Sequence, residues 1–316
     1  MDNADIDKLI ARVQKEKKEA GDELAKNEGL TRLQQIMAEY DGEDRLYPSE
    51  VIEAELKDKP RPEGFKTGIG GLDDLTGGFR KRQVVTMFAH TKHGKTEMAM
   101  WLMSLFPELH PVMLPLEQSA DELISQRLER QYSIPHFLAP RRNDTFVLAE
   151  WIEERIVEGI AKYNSQMVVI DHLGYIDNNG KDGKWKRENL AYRLGQVMKE
   201  IHHFATKWDV LVILLSHISE GDEGKPPQLQ DIGNSSDIKK ESDTVISIWR
   251  KNALKNKIRV YEDKALLSVL ANRRWGKNGH VGLLFDTKTG TYSEENDWVR
   301  KMTEVAKAGL EADEAF

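Results

Sequence analysis

The stretch Ala89-His90-Thr91-Lys92-His93-Gly94-Lys95-Thr96 constrains the fold more than any other part of this chain. It follows a β-branched run, Gln83–Ala89, and opens a Met- and Leu-rich helical pattern, Glu97–Phe106. A buried strand, a glycine turn and then Lys-Thr at the head of a helix is the context of a phosphate-binding P-loop. Backbone N–H groups of such a loop, with the helix N-terminus behind them, form a concave anion site. The first position is alanine in place of the usual glycine, a known variant. Lys95 is expected to bind the β- and γ-phosphates as a point charge, and the Thr96 hydroxyl to ligate Mg²⁺. The implied cofactors are ATP, or another NTP or dNTP, and Mg²⁺.

Further apolar runs of strand length alternate with helical patterns. Val112–Leu116, Met167–Ile170 and Val210–Leu215 read as strands, and Ala120–Tyr132, Phe146–Tyr163 and Glu188–Thr206 as helices. Thr244–Trp249, Ala265–Ala271 and His280–Phe285 complete the strands. This alternation predicts an α/β fold with a mostly parallel central sheet, helices on both faces and antiparallel strands at the C-terminal end. Asp171 ends a fully apolar strand, which places it in the crevice where open α/β sheets bind ligands and makes it the second Mg²⁺ anchor. Glu117 also ends an apolar strand, and is expected to polarise an attacking water. Its strand comes one helix after the P-loop and is expected beside the P-loop strand. His217 ends a third strand, where it is placed to report the γ-phosphate. Four strand ends then carry polar or loop chemistry on one sheet edge.

Composition narrows the function. The 316 residues include 46 Lys+Arg and 53 Asp+Glu, a net charge of −7, which argues against coating nucleic acid by bulk charge but leaves room for a local basic groove. There is no cysteine, which excludes disulfides and thiolate metal sites. No apolar stretch approaches the roughly 20 residues of a membrane span. The first residues, Met1–Asp5, have no signal-peptide pattern, so a cytoplasmic location in a bacterial or phage-infected cell is expected. Residues 1–59 read as a charged helical arm, with Ser49 as N-cap of a short helix Glu50–Leu56. Residues 60–300 form the α/β domain and 301–316 an acidic tail.

The motor domain of DnaB-type replicative helicases, a RecA-like ATPase, is what residues 60–295 resemble, most closely in its phage primase–helicase and Twinkle branch. The resemblance rests on Lys66–Gly78, the P-loop, Leu116-Glu117, Ile170-Asp171-His172-Leu173, Ser216-His217, Asp231–Asp243 and Asn272-Arg273-Arg274-Trp275-Gly276-Lys277-Asn278-Gly279. It implies a ring-forming, hexameric helicase that hydrolyses ATP and moves on single-stranded DNA. It also implies that His217 senses phosphate and that Arg273, or its neighbour Arg274, is an arginine finger delivered to the next subunit. Gly233, Lys240 and Ala271 depart from the family's usual Arg, Gln and Lys. A RecA/RadA-like recombination ATPase, or a non-translocating regulatory or helicase-loading ATPase, is the alternative.

Two segments are candidates for DNA. Asn179–Arg187 is basic and glycine-rich, with Lys184, Lys186 and Arg187 around Trp185; Ser219–Gln230 leads into Lys239-Lys240, which the resemblance places near the ring's pore. The tail Leu310–Phe316 is acidic and ends in Phe, which suits a docking peptide for a replication polymerase or primase.

Overall fold

The computed structural model describes residues 46–59, 63–141, 149–176, 190–218, 222–232, 236–255 and 258–300. The chain divides into two units, Met1–Pro62 and Glu63–Phe316. In the first, helix α1 spans Ser49–Asp58 and carries the i,i+4 pair Glu53–Lys57 at 2.6 Å. Pro48, not Ser49, occupies its N-cap, and no side chain caps the helix. The Pro48 carbonyl opens the helix, accepting the Val51 and Ile52 N–H groups at 3.1 and 3.3 Å.

In the second unit, helices α2 (Gly70–Thr76), α3 (Lys95–Leu105), α4 (Ala120–Glu129), α5 (Ala149–Tyr163), α6 (Leu190–Lys207) and α7 (Ser236–Glu241) surround one sheet. Its strands are β1 (Val84–Ala89), β2 (Val112–Pro115), β3 (Met167–Asp171), β4 (Leu211–His217), β5 (Thr244–Lys255), β6 (Ile258–Asn272), β7 (Gly279–Asp286) and β8 (Thr291–Glu294). The order is β2-β3-β4-β1-β5-β6-β7-β8, parallel from β2 to β5 and antiparallel from β5 to β8.

The central strands are buried on both faces. Val85, Met87 and Ala89 join one core with Ile213, Leu215 and the α3 side chains Met98, Leu102 and Met103. Val84 and Phe88 join the other with Val212, Leu214, Ile152 and Ile156 of α5, and Met198 and Ile201 of α6. Side chains alternate across a strand, so two cores on one strand require apolar residues on both faces, as β1, β3 and β4 have over most of their length.

The order corrects one expectation. β2 is the edge strand, separated from β1 by β3 and β4, so Glu117 does not end a strand beside the P-loop strand. The backbone brings it back: Leu116 N and Glu117 N both donate to Asp171 O, at 2.6 and 3.1 Å. The late strands also run further than their apolar cores. β5 pairs with β1 only as far as Ile248, then continues with β6 to Lys255 as a two-stranded extension. No helix among the described residues is long and apolar enough to cross a membrane.

Candidate nucleotide site

β1 leads into the loop His90–Gly94, and α3 begins at Lys95. Lys92 and Gly94 adopt left-handed conformations, φ 68° and 84°. At Gly94 a side chain would be strained, and its Cβ would lie 2.9 Å from Tyr292 Oη. His93 is buried within the loop; its Nδ1 accepts the Arg250 N–H at 3.0 Å, and its ring stands perpendicular to Tyr261 at 5.1 Å. Burial, with His90 and two arginines nearby, pushes its pKa down to about 4, so the ring is neutral at pH 7.

Lys95 and Asp171 are both buried, and face each other with Nζ 3.7 Å from Oδ1. That separation suits an ion pair and is too long for a hydrogen bond. Lys95 Nζ and Asp171 Oδ1 have no hydrogen-bond partner among the described residues. Burial lowers the Lys95 pKa, against the pull of Asp171 and Glu117, so the ammonium gains from any further anion. Thr96 Oγ1 donates to Asp171 Oδ2 at 2.7 Å. The site thus holds one buried cationic donor and one carboxylate oxygen, both unsatisfied, beside a hydroxyl. These are the groups a phosphate–Mg²⁺ pair would satisfy, and they fit it.

Glu117, on the open side, meets two imidazoles. His217 Nε2 lies 3.4 Å and His172 Nε2 3.8 Å from Glu117 Oε2, and the two rings cross at 82° with centroids 4.2 Å apart. Together the three side chains have metal-ligand types within 4.8 Å of one another. Hydrogen bonding decides against that use. His172 Nδ1 accepts the Gly174 N–H at 3.0 Å, so the proton of the neutral ring sits on Nε2, the atom that faces Glu117. His172 is therefore a donor towards the carboxylate. Burial, with Lys95 and His217 adding to it, holds its pKa down to about 3. His217 is also lowered, first by burial and then by Lys95, while Glu117 opposes the shift.

The structure thus brings Lys95, Thr96, Asp171, Glu117 and His217 into one cluster at the C-terminal ends of β1 to β4. Arg273 stands apart. It follows β6, whose Asn272 pairs with Thr244 at the start of β5, level with the start of β1. At about 3.4 Å per residue, the length of β1 separates that level from the P-loop by about 17 Å. Arg273 therefore does not serve the P-loop of its own chain. Arg274 lies over Trp275 at 5.3 Å, and Lys239 and Lys240 close α7. Lys184, Lys186, Arg187, Gly233 and the tail Leu310–Phe316 lie outside the described residues. Sequence reasoning named His172 only within a motif, without a role, and missed Arg250, Tyr261 and Tyr292, which wall the loop.

Residues 149–294 match the family described as DnaB-like helicase C terminal domain. The fold is similar to those of an ATPase domain and of a DnaB-like replicative helicase. A solved structure described as an ATPase domain superposes with a TM-score of 0.64 at 18% identity, covering 78% of this chain and 97% of that one. A DnaB-like replicative helicase, solved in a study of its interactions with primase, gives 0.62 at 19% identity, covering 84% and 71%. Among relatives, a probable replicative DNA helicase of Trieres chinensis is 23% identical over 81% of this chain and 62% of its own length. Replicative DNA helicase DnaC of Bacillus subtilis is 23% identical over 70% and 54%. The chain therefore spans only 54–62% of the length of these two relatives.

Proposed function

We propose that this chain is the motor of a replicative DNA helicase, which hydrolyses ATP with Mg²⁺ and moves on single-stranded DNA as a ring, most simply a hexamer. The observation that carries the reading is the pair of buried, unsatisfied atoms, Lys95 Nζ and Asp171 Oδ1, at the mouth of the P-loop. A buried ammonium without a hydrogen-bond acceptor is costly, and a bound phosphate supplies one. The loop amides and Lys95 hold the phosphates, while Thr96 and Asp171 hold the metal. A metal held there would supply neutralisation of phosphate charge.

Glu117 accepts the proton of the attacking water. His172 and His217 face one of its oxygens, Oε2, which leaves Oε1 for the water. His217, at the end of β4, reads the γ-phosphate. Arg273 acts on the neighbouring subunit, which its place at the far end of the sheet supports. Lys239 and Lys240 track the DNA backbone without reading sequence. The tail docks a primase or polymerase, and the complex works in the cytoplasm.

Unwinding of a forked duplex tests the reading. The wild-type chain should displace the strand in an ATP-dependent way, and Lys95→Ala should not. ATP-dependent filaments on DNA without strand displacement would favour a RecA/RadA-like ATPase instead.

A further inference from the structure

The turn after β6 is tied to the segment before β5 by contacts that phosphate binding does not require. Arg273 N donates to Asp243 O at 2.8 Å. The guanidinium makes two more contacts: Nη1 lies 3.7 Å from Asp243 Oδ1, and Nη2 donates to Lys240 O. The other carboxylate oxygen, Asp243 Oδ2, accepts the Val84 N–H at 2.9 Å, and Asp243 N donates to Val84 O at 2.9 Å. Val84 is the first residue of β1, whose far end carries the P-loop.

The two partners differ in how firmly they are held. Asp243 is 16% exposed, with three backbone contacts to β1 and the Arg273 amide, whereas the Arg273 side chain is 53% exposed. Ser242 beside it is anchored too: its Oγ lies 2.7 Å from Thr86 Oγ1 in β1. Asp243 is thus the fixed post and Arg273 the group that can leave. A half-exposed ion pair is weak, and a guanidinium exchanges it readily for a phosphate that it binds in bidentate fashion. The third contact is the Lys240 carbonyl, which belongs to the residue whose side chain we read as a DNA contact. Any displacement of Lys240 moves the acceptor of Arg273 with it, while Asp243 stays on β1.

We propose that Asp243 is a positioning residue that stores Arg273 on the segment Ser236–Asp243, and that a single-stranded nucleic acid drawing on Lys239 and Lys240 frees the guanidinium for the neighbouring nucleotide. This rests on the roles given above to Arg273 and the two lysines. It supplies a route from the DNA-facing segment to hydrolysis at the next subunit, through one carbonyl and one carboxylate.

The test compares the full chain with Asp243→Asn, which keeps an oxygen for the Val84 N–H and removes the charge. ATP turnover is measured with and without oligo(dT). Turnover without oligo(dT) should rise several-fold in Asp243→Asn, the stimulation by oligo(dT) should shrink by the same factor, and Arg273→Ala in that background should abolish the rise. A stimulation ratio equal to wild type overturns the proposal. Should Asp243→Asn fail to fold, hydrogen exchange in the wild-type chain decides. Saturating oligo(dT) should speed exchange of the Arg273 guanidinium protons, and unchanged exchange there overturns the proposal. A wild-type chain that neither hydrolyses ATP nor binds oligo(dT) overturns the helicase reading itself; one that does both, with an unaltered Asp243→Asn, overturns only the storage of Arg273.

Discussion

Thr96 Oγ1 and Asp171 Oδ2 are joined by a 2.7 Å hydrogen bond that links the first turn of α3 to the end of β3. It pre-sets two oxygens from distant parts of the chain at one point, so neither has to be ordered when a metal arrives. Lys95→Ala should abolish ATP turnover and weaken nucleotide binding. Glu117→Gln should bind ATP as wild type does while turnover falls by about 10²–10⁴, the range for removing a positioned base. Near-normal turnover in Glu117→Gln would remove it from the role of base.

Acid should loosen the P-loop domain. The His93 pKa falls to about 4 in the fold, from 6.5. A depressed histidine favours the neutral ring, so its contribution is complete above pH 6.5 and is lost as pH falls towards 4. The slope is about 1.4 kcal/mol per pH unit between those values. His93→Gln retains an acceptor for Arg250 N and should flatten that dependence. Denaturant unfolding at pH 7 and pH 5 checks this: an equal loss in both proteins would place the titrating group elsewhere.

Gly77 closes α2 at φ 69°, and a Cβ there would lie 2.5 Å from Trp275 Nε1. Gly77→Ala should therefore push the indole away and cost about 1–3 kcal/mol through strain and left-handed backbone. Trp275 is half exposed, so its fluorescence should shift with the loss. A spectrum and melting temperature equal to wild type would mean the turn at Arg273–Trp275 moves freely.

Lys239→Ala and Lys240→Ala should each reduce the salt dependence of single-strand binding by about 0.7 in log–log slope, with sequence preference unchanged. Titration of labelled oligo(dT) across salt concentrations measures it. If both slopes stay at the wild-type value, the phosphate contacts lie elsewhere, with Lys184–Arg187 the next candidates.

The parts of this site that could be read in the chain are those whose chemistry sits in one contiguous stretch. Lys95 and Thr96 follow a strand and start a helix, and Asp171 ends an all-apolar run; both contexts are local. Glu117 was legible as a strand end but not in its place, because sheet order depends on crossovers that a linear pattern does not encode. The β5–β6 extension was missed for another reason. Beyond Trp249 the strands carry Arg250, Lys251 and Asn252, and leave the double-sided core, so apolar runs stop where the strands do not. β8 has four residues and one buried side chain, Tyr292, too little for a pattern. His172 gains its place beside Glu117 only once β2 and β3 are neighbours and the Gly174 amide fixes its tautomer.

Asp171 touches the metal-facing groups with its carboxylate, while its carbonyl carries the amides of Leu116 and Glu117. In the proposed function, charge and water are thus managed from opposite ends of one amino acid. The two jobs are separable by chemistry: exchanging the side chain alters the first, whereas an ester in place of the Glu117 amide alters the second. A lineage could retune metal preference here by ordinary substitution and keep its water in place, since the backbone half of the residue is beyond the reach of codon change.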